Sequence, residues 1–490
     1  MSVTPLSARE RPRPSPSELI GPRVALSPDE RRLILGLADL LILNAALLAA
    51  TVIWNGFDPT PAALLGYAKW FITLTVYWLI AGSVLDLYDL ARAASGSAIA
   101  LNAGLAIGLT VAAYVTTPWL TPPVLARSYV FGFAAMSLAG VLGWRLFYAR
   151  VLAQVGFHRR ALLLGAWHGD DVLVEDLRAA GAASRSNPYR GTGYQIVGYV
   201  ASEAPAAAGP VPWLGPPEEL ACLARGLAVD EIIVTQELPR LLEPALYEVV
   251  LDCQELGIRV TPLSEVYQRL TARFPVQYAQ RDPALLFSAD DRPAWRLYVA
   301  LKRLMDLAVS LIGLAVTGLT IPFVALANAL WAPGPLFYRQ ERVGLGGRPF
   351  PLLKFRSMAP DAEAATGAVW SSDQDDRITP VGHWLRRTRL DELPQFVNVL
   401  RGEMSLVGPR PERPEFVGEL ARQLPIYRVR HVARPGITGW AQIRYRYGNS
   451  VEDTRVKLEY DLYYILRRNL YLDLLIAVKT LPVLLGFRGK

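Results

Sequence analysis

Cysteine is almost missing from this chain: two in 490 residues, Cys222 and Cys253, with no CxxC spacing. That excludes a disulfide framework, and with four histidines and no Cys/His cluster it excludes a structural zinc site. Two structural thiols in a reducing compartment are the ordinary reading. The first 30 residues, rich in Pro, Arg and Ser, lack the apolar run and small-residue cleavage site of a secretory signal, so they read as a disordered cytoplasmic tail. Charge is scarce in four apolar stretches, roughly 33–54, 62–86, 98–119 and 128–149. Each is near the ~20 residues that cross a bilayer core, and their lack of charge argues against a transporter, which would carry ionisable groups inside its spans.

What is abundant is apolar and cationic. Hydrophobic residues make up 52% of the chain and mean hydropathy is +0.23, which points to a membrane protein. The formal net charge is +7, yet residues 291–490 alone hold 29 Lys+Arg against 19 Asp+Glu, so the basic excess is C-terminal. Nucleic acid, anionic headgroups and phosphorylated substrates all fit such a balance, and the membrane character favours the last two over nucleic acid.

Basic residues flank the spans asymmetrically. Arg23, Arg31 and Arg32 precede the first, Arg92 lies between the second and third, and Arg145, Arg150, Arg159 and Arg160 mark the end of the fourth, with Arg127 a mild exception. The positive-inside rule then places the N-terminus and everything after residue 150 in the cytoplasm. The expected domains are a tail (1–30), a four-helix transmembrane region (31–155), a Rossmann-like α/β domain (156–290) and an α-rich C-terminal domain (291–490).

The α/β reading rests on short β-like runs alternating with helical ones: "RALLLGA", "DDVLVEDLRAA", "YQIVGYV", "VDEIIVTQ", "LYEVVLDCQELG" and "IRVTPL". "AASRSNPYRGTG" and "SEAPAAAGPVPWLGPP" read as loops. The first strand ends in "GAWHGD", where Trp167 stands in place of the second glycine of a dinucleotide fingerprint, so a nucleotide-free scaffold is expected. A fifth apolar segment, Leu307 to Trp331, has no charged residue and holds Pro322. Arg296, Lys302 and Arg303 precede it and Arg339, Arg342 and Arg348 follow, so both ends carry the cytoplasmic signal. The reading is a re-entrant helix-break-helix over 304–331, with a kinked straight span as the rival. "LYLDLLIAVKTLPVLL" reads as an interfacial helix, with a domain-packing helix nearly as good.

The candidate site lies in "KFRSM" (354–358), "DDRITPVGHWLRRTRLDELPQ" (375–395), "GPRPERPEF" (408–416) and "RPGITGWAQ" (434–442). Arginines and carboxylates recur there in short, turn-rich segments. Adjacent helical residues diverge by about 100°, so Asp391 and Glu392 cannot face one atom. One can point at a reacting phosphorus while the other reaches a metal, and Mg²⁺ needs only one or two protein carboxylates beside substrate oxygens. Arg356, Arg386 and Arg410 match phosphate oxygens with their forks.

These motifs resemble the bacterial sugar transferase family, the monotopic phosphoglycosyl transferases, over about 295–490. Four spans and a Rossmann-like domain ahead of them resemble its large members, the undecaprenyl-phosphate galactose phosphotransferases. The resemblance implies a re-entrant helix, Mg²⁺, a UDP-sugar donor, a polyprenyl phosphate acceptor, the bacterial inner membrane and a homodimer. Carried over by motif, Asp391 is the nucleophile and Glu392 the metal ligand. Lys354, Arg356, Arg386 and Arg410 bind phosphate or complete the site, and Arg434 of "RPGITGW" shapes the donor pocket. Ile321 before Pro322 departs from the small polar residue common in the family. A membrane-tethered scaffold or sensor with a ligand-binding Rossmann-like domain is the alternative, which leaves the motif block after 350 without purpose.

Overall fold

The computed structural model of the protein describes residues 26–93, 96–122, 127–153, 158–165, 194–203, 211–235, 244–276, 295–360, 362, 377–445 and 451–485. The chain divides into two compact units, one of Met1–Leu74 with Tyr88–Leu270, the other of Thr75–Leu87 with Thr271–Lys490.

Each of the four N-terminal apolar stretches is helical: α1 (Pro28–Asn55), α2 (Ala68–Val84), α3 (Gly96–Val115) and α4 (Arg127–Phe147). A capping box starts α1, where Ser27 Oγ accepts the Glu30 N–H at 3.2 Å and the Glu30 carboxylate accepts the Ser27 N–H at 2.6 Å. Among the described residues, α1, Arg127–Leu152 and the later helix Trp295–Trp331 are long and apolar enough to cross a membrane; α2 and Ala100–Val115 are shorter. One buried ion pair joins α1 and α4. The Arg145 guanidinium grips Asp39, with Nε to Oδ1 at 3.3 Å and Nη2 on Oδ2, and both residues are buried.

The α/β domain is a parallel five-stranded sheet in the order β3-β2-β1-β4-β5: β1 (Arg159–Leu164), β2 (Tyr194–Val200), β3 (Trp213–Gly215), β4 (Glu231–Val234) and β5 (Arg259–Pro262). Leu162, Leu164, Val200, Ile232 and Val234 form its core with Leu220 and Ala224 of α5 (Leu220–Gly226) and Cys253 of α6 (Pro244–Glu255). Cys253 is buried, Cys222 exposed, and both are free thiols. The sequence left β3 inside a loop, because a three-residue edge strand between Pro212 and Pro216 has no period to detect. The helical run 170–180 and Trp167 lie outside the described residues.

In the second unit one helix, α7 (Trp295–Trp331), runs 37 residues without interruption through Pro322, where the sequence predicted a break. A proline removes one backbone bond, and packing holds the rest of the turn together. Val324 and Ala332 lie in a core with Phe355, Val381 and Leu385. Strands β6 (Phe337–Val343) and β7 (Pro349–Phe355) form an antiparallel hairpin. Then come α8 (Pro380–Thr388), a 3₁₀ turn Leu390–Gln395, α9 (Phe396–Arg401), β8 (Ser405–Val407), α10 (Pro414–Gln423), a 3₁₀ stretch Pro425–Val432, β9 (Gly436–Thr438), α11 (Trp440–Arg444), α12 (Val451–Arg467) and α13 (Leu470–Leu485). α13 packs on the domain through one face. Its inner face buries Leu472, Asp473 and Ile476, while Tyr471 and Leu474 are exposed. Asp473 accepts from Lys302 Nζ at 3.0 Å, Tyr298 OH at 3.0 Å and Tyr464 OH at 2.8 Å, which fastens α7 to α12 and α13.

Candidate active site

Close backbone crossings bring the motifs together. Thr379 caps α8 by accepting the Gly382 N–H at 3.0 Å and donates its own N–H to the Ser357 carbonyl at 3.0 Å. A Cβ at Gly382 would stand 1.9 Å from that carbonyl oxygen, so only glycine lets α8 start against "KFRSM". Likewise β8 pairs in parallel with β9, and a Cβ at Gly436 would meet the Gly408 nitrogen at 2.1 Å. "SLVGPR" and "RPGITGW" are thus a clasp, backbone on backbone.

Arg389 ends α8 in the left-handed region at φ 57°, a conformation an L side chain adopts at a cost. It turns the chain into the 3₁₀ segment Leu390–Gln395, where the Glu392 N–H donates to the Arg389 carbonyl at 3.2 Å. The dyad therefore sits on a 3₁₀ turn, with successive side chains about 120° apart rather than the 100° of an α-helix. The divergence expected of Asp391 and Glu392 holds. α7 backs this turn directly. A Cβ at Gly313 would lie 2.3 Å from the Phe396 ring, and Thr317 Oγ donates to the Leu393 carbonyl at 3.3 Å.

The two carboxylates open onto a cavity of about 430 Å³ whose wall includes Lys354, Arg386, Arg389 and Arg410. Glu392 Oε1 pairs with Arg410 Nη2 at 2.6 Å and Lys354 Nζ at 3.6 Å, and Oε2 with Arg389 Nη1 at 3.8 Å. Burial alone would raise its pKa; Arg410 first, then Lys354 and Arg389, outweigh burial and hold it well below the usual carboxylate range. Asp391 moves the other way. Burial first and the Glu392 charge second push it up to about 6, against the pull of Lys354, Arg386 and Arg410. Burial also lowers the Lys354 ammonium. No hydrogen bond from the described residues reaches the Asp391 carboxylate. Among the described residues no three His, Cys, Asp or Glu converge, yet Mg²⁺ asks for only one or two carboxylates beside phosphate oxygens, so Glu392, a carboxylate on the cavity wall, fits that ion.

Lys354, Arg386, Arg410, Asp391 and Glu392 are thus brought together. Arg356 also borders the cavity, but its guanidinium donates to backbone: Nε to Pro335 O at 2.7 Å, Nη1 to Met358 O at 3.4 Å, and Nη2 to Ala332 O. It locks the end of α7 to "KFRSM" instead of offering a free fork to phosphate. Arg434 is not in the cavity wall; its carbonyl is what a Cβ at Gly408 would strike, at 2.2 Å. The sequence reading missed Arg389, Arg342, Arg430 and Asp461. Arg389 stood inside the quoted motif two residues before Asp391, whereas Arg430 and Asp461 lie in unremarkable amphipathic stretches and carry no local signal.

Residues 297–486 match the family model described as bacterial sugar transferase. The chain is 41% identical over 239 residues, 49% of its length, to the UDP-N-acetylgalactosamine-undecaprenyl-phosphate N-acetylgalactosaminephosphotransferase of Aeromonas hydrophila, covering 55% of that protein. It is 52% identical over 128 residues, 26% of its length, to the putative undecaprenyl-phosphate N-acetylgalactosaminyl 1-phosphate transferase of Bacillus subtilis (strain 168), covering 71% of it. It is 41% identical over 191 residues, 39% of its length, to the UDP-glucose:undecaprenyl-phosphate glucose-1-phosphate transferase of Xanthomonas campestris pv. campestris, covering 40% of it. The matched part of the chain therefore spans about half the length of the first of these relatives and less of the third.

Proposed function

Because the chain belongs to the bacterial sugar transferase family, we propose that it moves a sugar 1-phosphate from a UDP-sugar to a polyprenyl phosphate at the cytoplasmic face of the bacterial inner membrane. In this reading it performs the first membrane step of an exopolysaccharide, capsule or O-antigen. The observation that carries it is the contrast inside the dyad: Glu392 is held by three cations, and its neighbour Asp391 faces the cavity with no hydrogen bond from the described residues.

An Asp391 oxygen attacks the β-phosphorus of the donor, forming a P–O bond as the bond to the bridging oxygen breaks and UMP leaves. An oxygen of the lipid phosphate then attacks the same phosphorus, and the Asp391 carboxylate is released. Mg²⁺, held by Glu392, would supply charge neutralisation at the diphosphate. Arg386 and Arg410 orient the phosphoryl oxygens, and Lys354 adds positive charge behind Glu392.

What α7 carries supports a one-sided membrane disposition. Asp306 accepts from Ser405 Oγ at 3.0 Å and the Leu406 N–H at 2.8 Å, and Ala332 accepts from Arg356, so site-bearing polypeptide lies along ~39 Å of helix. That exceeds the ~30 Å hydrocarbon core. A helix crossing the bilayer would drag those polar segments through lipid, which supports a reading with both ends on one side, as the flanking arginines also do.

The test is a panel of UDP-sugars assayed for UMP release with polyprenyl phosphate and Mg²⁺, with trapping of labelled donor on the protein. Wild type should form a phosphosugar adduct at Asp391 and Asp391→Asn none; an adduct in the variant sinks the assignment. For topology, Leu345→Cys in a background lacking Cys222 and Cys253 should resist an impermeant thiol reagent in intact cells. Labelling from outside refutes the one-sided helix.

A further inference from the structure

Arg410 reaches Glu392 from a segment that cannot hold itself in place. Pro409 and Pro411 flank it, so its backbone has few amide donors, and the β8/β9 pairing ends at Pro409 O, which accepts the Gly436 N–H at 2.9 Å. Its carbonyls are held from outside: Arg430 Nη2 donates to Arg410 O at 2.9 Å, Arg342 Nη1 to Pro411 O at 3.1 Å, and the Val343 N–H to Glu412 O at 2.9 Å. Arg430 is itself fixed on every side. Its Nε donates to Asp461 Oδ2 at 2.9 Å, Nη2 lies 2.8 Å from the same oxygen, and Nη1 meets the Tyr427 hydroxyl. Arg430 and Asp461 are both buried, and Tyr427 is in the core beneath α10. Arg430 and Asp461 border the cavity, but opposite charges in contact add no net charge to it, and a guanidinium engaged with a carboxylate, a phenol and a carbonyl has no free fork for a substrate.

We propose that Arg430 and Asp461 are a positioning pair that fixes the Pro409–Pro411 arch and so aims the Arg410 guanidinium at Glu392. This rests on the transferase reading. The pair acts through Arg410 and does not touch the donor. Losing it lets the arch relax, Arg410 leaves Glu392, and the carboxylate that holds the metal loses its strongest partner.

The experiment uses the full-length protein in nanodiscs. kcat/KM for UMP release is compared for wild type, Arg430→Gln, Arg410→Gln and the double variant. Arg430→Gln should lose about 10- to 100-fold, and the double variant should be no worse than Arg410→Gln within about twofold. Losses that multiply would mean that Arg430 meets the substrate itself, and the proposal falls. Hydrogen exchange of the ligand-free protein gives a readout independent of turnover. Peptides covering 408–413 should exchange faster in Arg430→Gln and Asp461→Asn, with β7 as an unchanged reference. If Arg430→Gln fails to fold, Arg430→Lys keeps the Asp461 contact but cannot also reach the Arg410 carbonyl, and the same faster exchange is expected. Unchanged exchange over 408–413 overturns the proposal whatever the activity. A wild type that releases no UMP, with the exchange result as expected, counts against the transferase reading alone.

Discussion

Asp391 and Glu392 sit one residue apart yet respond oppositely to their surroundings, and stability measurements can separate the two. A carboxylate whose folded pKa lies above its unfolded value binds protons more readily when folded, so its ionised form costs the fold stability above about pH 6. Asp391→Asn removes that cost and should stabilise the protein at pH 8 by about 1–3 kcal/mol while ending turnover. Glu392 has the reverse sign. Its pKa is depressed, so its contribution is present above the unfolded value and lost as pH falls through the folded one. Glu392→Gln strands Arg410, Lys354 and Arg389 and should destabilise by roughly 3 kcal/mol, with a weakened Mg²⁺ response. Thermal unfolding at pH 8 decides it: shifts of equal sign for both variants mean the dyad is not split as described. The rate should fall with acid near pH 6, where Asp391 takes up its proton. A flat profile between pH 5 and 7.5 contradicts a nucleophile with that pKa.

At the scale of elements, the reacting turn is shaped by the helix behind it. Gly313→Ala puts a methyl 2.3 Å from the Phe396 ring, so the ring and the turn it ends must shift. The expected cost is about 1–3 kcal/mol, with kcat falling more than KM rises. An alanine variant with wild-type kcat would show that the turn does not depend on this contact. This packing also marks the limit of the sequence reading. The apolar stretches, the parallel strands and the dyad were legible because each is a local pattern: hydrophobic length, period, or adjacent residue types. Gly313 opposite Phe396, Gly382 against Ser357 and Gly408 against Gly436 were not, because a glycine required by a distant backbone looks like any turn glycine. Arg356, expected at phosphate, meets the Pro335, Met358 and Ala332 carbonyls for the same reason. An arginine in a motif has the right chemistry for a carbonyl as well as for a phosphate, and only the fold says which it meets.

At the scale of the whole molecule, the question is how much of the chain the site needs. A start near residue 291, where composition divides the chain, removes Ala272 to Val276, which pack into the second unit. Phe274 is fully buried beside Leu420, Leu458 and Leu462, its N–H donates to Glu459 O at 2.9 Å, and Trp440 Nε1 donates to Ala272 O at 2.9 Å. Losing a buried phenylalanine costs on the order of 3–5 kcal/mol. Asp86, from the separate stretch Thr75–Leu87, also belongs to this unit and is the counter-charge for Lys479 and, at 3.7 Å, for Arg444. A protein starting at Thr271 should therefore unfold at a higher temperature than one starting at Asp291 and should form the Asp391 adduct. Lys479→Met should stabilise the truncated protein, which lacks Asp86, and destabilise the full chain, where the pair is intact. If the 291 start is as stable as the 271 start, residues 272–276 are dispensable and the domain begins where composition places it. If the 271 protein folds yet forms no adduct, the N-terminal part takes a direct role in the chemistry.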